Sequence, residues 1–399
     1  MSRRSLSGSP RSPRGVTVGV WRREPFRLFF PVGTLLAWVG IGHWIAYWAG
    51  WVQEYSCLSH GLVQVQGFLL AFALGFLLTA IPRRTGSPPP AAAGIAAACG
   101  GLVAMTTAAF AQRWWLAEGA TVAIILGVVA FAVRRFVGTG GSRRPPAAFV
   151  LLPMGLACGV AGALMIAWGS SPGGSVRALA MGRLLVEQGL FFCLVMGAGA
   201  LVLPLMAGAS PPADLGTHPA VTHAALGYGA AGLAVIASLV AEAAGSGHVA
   251  PVVRGLVVAA TLIRGAGVLD PLDRPGWNRR AARLGACLVP FGPILAGLVP
   301  DYRVPALHVT FIGGLGLLAF AVATHVTAAH LDLVELRDGR PRVVAVVAGA
   351  LLIAMLGRLT ADSVATYFEH LAAAGMLWIA GTAYWLVRLV PAWTRRPEA

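Results

Sequence analysis

The chain has 399 residues, of which 57% are hydrophobic and 11% are charged, and its mean hydropathy is +0.75. A water-soluble domain carries roughly a quarter charged residues, so this composition excludes an ordinary soluble protein and predicts an integral membrane protein whose partner is the lipid bilayer. The formal net charge is +15 and every basic residue is arginine. The arginines occur in short clusters between apolar runs, which indicates membrane topology and predicts no nucleic-acid partner.

A transmembrane helix needs about twenty mostly apolar residues, and twelve runs of the sequence meet that length. Residues 1–27 are rich in Ser, Pro and Arg and are predicted to form a disordered, basic cytoplasmic N-terminus. Residues 28–391 are predicted to form a single all-α transmembrane bundle, followed by a cytoplasmic tail at 392–399. The ninth run is short and holds Pro290 and Pro293, which predicts a kink. In chain order the predicted spans are 28–50, 62–81, 91–111, 115–134, 147–168, 182–208, 219–242, 249–269, 283–299, 304–326, 343–361 and 367–391.

The arginines also predict the orientation of the bundle. Alternate loops, starting with the N-terminus, contain 24 arginines, the intervening loops contain five, and Arg254 lies within the eighth run. Because short cytoplasmic loops carry an excess of arginine, both termini are predicted to be cytoplasmic. The even number of spans follows from the same alternation, since one helix more or fewer would mix the two sides.

Histidines are the first candidates for a functional site, because ionisable groups at membrane depth are costly. His60 enters the second span and His308 enters the tenth, each within about one helical turn of the predicted outer end. His43 and His370 belong to the same outer layer. Two neutral imidazoles at one depth on neighbouring helices are what a six-coordinate haem requires, and imidazole also suits copper. The alternative is that each histidine is interfacial, with its polar edge among the lipid headgroups.

Glu187 and Arg183 are further polar residues at membrane depth, in the first turns of the sixth span. Their i, i+4 spacing predicts an ion pair on one helix face, which would be structural. The functional alternative is a path for a proton or a ligand from the outer side.

Three stretches of the sequence resemble the NnrS family of bacterial membrane proteins. Residues Pro25–Phe30, PFRLFF, are similar to the family's entry to its first span. Residues Gly75–Gly86, GFLLTAIPRRTG, resemble the end of its second span. In the tenth span, His308 and His330 keep the spacing between an entry histidine and an exit histidine of the family. The resemblance extends over nearly the whole chain.

This resemblance implies a multi-pass protein of the bacterial inner membrane that contains haem and copper and acts in nitric-oxide stress or denitrification. Nitric oxide or a redox protein is the implied partner. For this chain we expect a b-type haem with His60 and His308 as axial ligands. His43 and His370 are expected as replacement ligands or as groups that support the ligands.

The sequence also departs from the family pattern. Leu62 and Val63 stand where the second-span pattern has a second histidine and a glutamate. His325 stands where an arginine is expected late in the tenth span. This substitution creates a second candidate metal pair, formed by His325 and His330, with copper as the implied metal.

Two other functions remain open on the sequence. One is a permease for a small solute, in which buried His and Glu would couple transport to protons. The other is a divergent relative of the catalytic subunit of haem–copper oxidases, which also has twelve spans. Against the second stands the lack of clustered histidines in spans six and seven, where His223 is the one histidine. The sequence leaves open whether the protein is an enzyme or a binding protein.

Overall fold

A computed structural model of the protein describes residues 16–137, 144–272 and 276–395. Within those ranges the chain is helical and forms no β-strand. Twelve of the helical segments are long and apolar enough to cross a membrane, which confirms the predicted all-α transmembrane bundle. They are α1 (Phe26–Trp48), α2 (Cys57–Thr85), α3 (Ala92–Phe110), α4 (Trp114–Phe136), α5 (Ala147–Gly169), α6 (Val176–Ala207), α7 (Pro219–Ala243), α8 (Val249–Ala266), α9 (Trp277–Leu298), α10 (Pro300–His330), α11 (Arg342–Ser363) and α12 (Tyr367–Thr394).

Helices α2, α6 and α10 form the inner layer of the bundle. They are 29, 32 and 31 residues long, and 78%, 67% and 72% of their most apolar windows are buried. Among the other described spans this share lies between 22% and 56%. Since the three inner helices are the spans most enclosed by protein, polar groups can be accommodated on them at lower cost.

Each inner helix contains a π-helical stretch, Val63–Leu69 in α2, Leu185–Leu190 in α6 and Val309–Gly316 in α10. The helix that precedes the stretch is short in each case, between six and nine residues. Even-numbered spans all begin at the same end of the bundle, so the three stretches lie near that end. We term it the cavity end, after the cavity described in the next section. The end at which α1 begins is termed the opposite end. A π-helical turn is wider than an α-helical turn and is frequent at functional sites.

Helix α6 is fixed by close packing against α5. A Cβ atom added to Gly155 would lie 2.8 Å from the carbonyl oxygen of Leu190, and one added to Gly162 would lie 2.7 Å from that of Gly182. Any side chain at these glycines would push the two helices apart, because these carbonyl oxygens belong to the backbone of α6 and cannot rotate away. The small residues therefore set the position of α6, and with it the position of Glu187.

The predicted second span was too short at its start. Helix α2 begins at Cys57 rather than at residue 62, because the hydroxyl of Ser56 accepts a hydrogen bond from the backbone N–H of Ser59 and caps the first turn. His60 consequently lies inside the helix. The predicted kink in α9 is confirmed, since the helix is interrupted between Leu288 and Phe291, next to Pro290.

The prediction of a disordered N-terminus was wrong for part of the segment. Residues 1–15 lie outside the described residues, but Val16–Arg23 forms a helix. The reason is a tertiary contact, since the Nε atom of Arg22 donates to the carbonyl oxygen of Pro90 at 3.0 Å and ties this helix to the start of α3.

The predicted C-terminal tail is also shorter than expected. Helix α12 continues to Thr394 because Trp393 is buried, and the indole N–H of Trp393 donates to the hydroxyl of Thr327 at 3.0 Å. Residues 396–399 lie outside the described residues.

Candidate functional site

A cavity of about 450 Å³ lies at the cavity end, surrounded by α1, α2, α6, α10, α11 and α12. All three π-helical stretches contribute residues to its wall. The wall combines aromatic rings with basic, acidic and imidazole groups, which is unusual at membrane depth. Its polar side chains are those of Cys57, His60, Gln64, Arg183, Glu187, Arg303, His308, Arg358 and Tyr367.

His60 and His308 both line this cavity, which agrees with the prediction that they lie at a similar depth. The Nδ1 atom of His60 lies 3.0 Å from the carbonyl oxygen of Gly40, and that of His308 lies 2.8 Å from the carbonyl oxygen of Val304. Because a carbonyl oxygen accepts hydrogen bonds, these contacts place the proton on Nδ1 and leave Nε2 with a lone pair. Neither Nε2 atom has a hydrogen-bond partner among the described residues. This is the tautomer in which a histidine binds a metal through Nε2.

Glycine at position 40 allows the contact to His60. A Cβ atom at Gly40 would lie 3.1 Å from Cγ1 of Val63 and would overlap the side-chain amide of Gln64. The absence of a side chain lets α1 approach α2 closely enough for the backbone carbonyl to orient the imidazole. Trp44 supports the same ring from the side, with its centroid 5.6 Å from that of His60.

The structure does not bring His43 and His370 to the cavity wall. The Nε2 atom of His43 accepts a hydrogen bond from the backbone N–H of Ser56 at 2.8 Å. The Nε2 atom of His370 lies 3.1 Å from the hydroxyl oxygen of Thr360. The nitrogen that would bind a metal is therefore engaged in both residues, and their predicted role as replacement ligands has no support in the geometry.

The predicted ion pair between Arg183 and Glu187 is confirmed, with 2.9 Å between Nε of the arginine and Oε1 of the glutamate. Arg303 is paired as well, because its guanidinium donates to the carboxylate of Glu242. Glu242 also accepts from the completely buried Arg254 at 2.5 Å. Two of the three arginines on the cavity wall thus have strong acidic partners.

Arg358 is the third arginine on the wall, and its surroundings differ. Its side chain is buried, and its Nη1 atom lies 3.6 Å from the carboxylate of Asp362, beyond hydrogen-bond distance. This Nη1 atom is buried without a hydrogen-bond partner. A buried guanidinium with an unused donor is costly, so the cavity wall carries positive charge that the described residues only partly neutralise.

Glu118 is a buried acidic group that sequence reasoning missed. It is completely buried in α4, where one carboxyl oxygen accepts a hydrogen bond from the side-chain amide of Gln66 at 2.7 Å. The other oxygen has no partner among the described residues. An ionised carboxylate without a cation would be very costly here, so we expect the group to be a neutral carboxylic acid. An acidic residue within an apolar run was the signal that could have revealed it.

The second predicted metal pair, His325 and His330, lies at the opposite end of α10. The five-residue spacing turns the two side chains about 140° apart around the helix. The ring of His330 packs against that of Phe26 at 4.9 Å between centroids, and its Nδ1 atom lies 2.8 Å from the carbonyl oxygen of Val326. Nε2 of His330 and Nδ1 of His325 are buried without hydrogen-bond partners.

In the part of the chain that the structure describes, no group of three or more His, Cys, Asp or Glu side chains is arranged to hold a metal ion.

Comparison with known proteins identifies the family. No curated protein matches the chain. A family profile described as NnrS protein matches residues 20–396, a range that includes all twelve described spans and the whole cavity wall. The chain therefore belongs to the NnrS family.

Proposed function

We propose that this membrane protein binds a b-type haem in the cavity, with His60 and His308 as axial ligands, and that it acts in the response to nitric oxide. The observation that carries the proposal is the pair of imidazoles on one cavity wall, each held by a backbone carbonyl with Nε2 free. A bound haem would supply an iron that changes oxidation state and that could bind nitric oxide in place of one of the two histidines.

The other features of the cavity fit a haem as well. A volume of about 450 Å³ lies in the range of about 300–1,000 Å³ that cofactor-sized ligands occupy. Aromatic and aliphatic side chains, among them Phe68, Phe311 and Trp378, give the wall the apolar surface that a porphyrin requires. The unused donor of Arg358 on the same wall suits a propionate, because guanidinium groups bind carboxylates strongly.

A reduced-minus-oxidised absorption spectrum of the purified protein tests the proposal. The wild type should show a low-spin haem, and His60→Ala and His308→Ala should each abolish that spectrum while the protein remains monodisperse. His370→Ala is the matched control, because that histidine lies at the same end but not on the cavity wall, and it should keep the spectrum. A wild-type protein that purifies without haem after expression with haem supplied would overturn the proposal.

We also propose that the cavity end faces the outside of the bacterial inner membrane and that both termini are cytoplasmic. The excess of arginine in the loops of the opposite end supports this orientation. A periplasm-specific reporter inserted at Gly247, in the loop between α7 and α8, should be active, whereas one fused after Ala399 should be silent. The reverse result would invert the orientation.

Copper is a separate proposal that rests on the family and on two ring nitrogens without hydrogen-bond partners. His325 and His330 are the candidate ligands, and their buried, unpaired ring nitrogens are consistent with that role. Elemental analysis should find copper in the wild type and lose it in the His325→Ala/His330→Ala double variant. Copper retained by the double variant would exclude this pair.

A further inference from the structure

A second cavity of about 130 Å³, open on part of its surface, lies between α2, α6 and α10, with Phe30 of α1 as a further contact. We term it the axial cavity. Every residue that lines it is apolar, and its wall includes Phe72, Ala198 and Leu318, one from each inner helix. No step of the proposed haem function uses this space.

The lining of the axial cavity determines which ligands it can accept. A buried water molecule needs two to four polar partners, and none of the lining side chains offers a polar atom. Charged and strongly hydrogen-bonding ligands are excluded for the same reason. An apolar cavity of about 150 Å³ stays dry and binds xenon or benzene, so a space of this size admits a small neutral molecule of low polarity.

The axial cavity adjoins the histidine-lined cavity. Leu69 lines both of them, and it is the last residue of the π-helical stretch in α2. One leucine side chain therefore stands between the two spaces at this point. Leu69 is buried, so a small molecule could pass between the two spaces only when the Leu69 side chain changes its rotamer.

We propose that the axial cavity binds a small neutral diatomic gas such as nitric oxide and supplies it past Leu69 to the cavity of His60 and His308. The binding of the gas follows from the axial cavity itself. Its delivery to an iron rests on the proposed haem function.

Xenon tests the binding site without any haem. Crystals of the full-length protein pressurised with xenon should show a xenon atom in contact with Phe72, Ala198 or Leu318. Ala198→Leu and Ala319→Leu fill the cavity from α6 and from α10, and each should abolish the xenon peak. Ala230→Leu introduces the same side chain at an exposed position of α7 and should leave the peak unchanged.

Three results would overturn the binding site: no xenon in the wild type, a xenon peak unaffected by both filling variants, or a lipid acyl chain in the cavity. Delivery to the iron requires that the gas displace one of the two histidines, and it is tested by flash photolysis of carbon monoxide in the reduced, haem-loaded protein. A reduced haem that binds no carbon monoxide would overturn the delivery role. Ala198→Leu should reduce the fraction of ligand that rebinds from within the protein, and an unchanged fraction would overturn the delivery role. A protein that binds xenon but no haem would overturn the haem proposal and the delivery role and leave the gas-binding site standing.

Discussion

Two buried arginines, one at each end of the bundle, differ in how completely they are paired. At the opposite end, Arg27 is 2% exposed, and its Nη1 atom donates to the carbonyl oxygens of Trp393 and Arg395 at 2.9 and 2.8 Å. Its Nε atom donates to the carboxylate of Glu24 at 2.6 Å. These contacts join the start of α1 to the end of α12.

At the cavity end, Arg358 is 8% exposed and has an acidic neighbour only at 3.6 Å. Its Nη1 atom is buried without a partner, next to a large cavity. The difference separates two uses of a buried cation. Arg27 holds helices together, whereas Arg358 retains hydrogen-bonding capacity for a group that is not part of the chain.

Among the variants that test this comparison, a variant of Arg27 should lose the most stability. Arg27→Ala should lower the free energy of unfolding by about 3–5 kcal/mol, because it leaves two backbone carbonyls without their donor and Glu24 with only the distant guanidinium of Arg83. Thermal unfolding in detergent measures the loss. Arg23→Ala, at an exposed position nearby, is the control and should change stability little. Equal losses in the two variants would contradict the structural role of Arg27.

Glu242 should give the next largest effect. Glu242→Gln removes the charge that the guanidinium groups of Arg254 and Arg303 share, and the expected loss of stability is about 2–3 kcal/mol. The same melting experiment reports it. A variant as stable as the wild type would show that the two cations have other sources of stabilisation.

A variant of Arg358 should affect haem binding more than stability, unlike the variants of Arg27 and Glu242. Arg358→Met should change the stability of the haem-free protein by less than about 1 kcal/mol, because the variant removes an incompletely paired buried charge and keeps much of the apolar volume. Haem affinity, measured by titration, should fall about 10- to 100-fold, the range expected for one charge-assisted hydrogen bond. A large loss of stability with unchanged haem affinity would reverse the assignment of the two arginines.

Glu118 should give the smallest effect. Glu118→Gln should alter stability by less than about 1 kcal/mol, because a neutral carboxylic acid and an amide have nearly the same shape and both bond to Gln66. Equilibrium unfolding of the two proteins provides the measurement. A loss similar to that of Glu242→Gln would mean that Glu118 is ionised and paired with a cation.

Much of the fold and part of the site follow from the sequence. The span count follows from apolar run length, and the Arg183–Glu187 pair follows from helix periodicity, because both depend on neighbours in the chain. The placement of His60 and His308 on one cavity wall also follows, since depth in a membrane can be counted along a helix.

The missed features depend on residues far apart in the chain. Arg358 lies near the end of the predicted eleventh span and is counted with the arginines of one membrane side, but its burial on the cavity wall depends on residues of α10 and α12. Glu118 finds its partner Gln66 on another helix, 52 residues away. The π-helical stretches have no clear signature in hydropathy, because a single wide turn hardly changes the periodicity of an apolar run.

The π-helical stretch in α2 has a consequence for the evolution and engineering of the chain. A π turn of this kind is equivalent to one extra residue in an α-helix, and one residue corresponds to a rotation of about 100°. Deleting one residue within Val63–Leu69 would restore an α-helix and turn His60 away from the wall relative to the rest of α2. The direction in which the imidazole points therefore depends on the number of residues in this stretch as well as on their identity. Insertions or deletions in the stretch should be more damaging than substitutions at most of its positions.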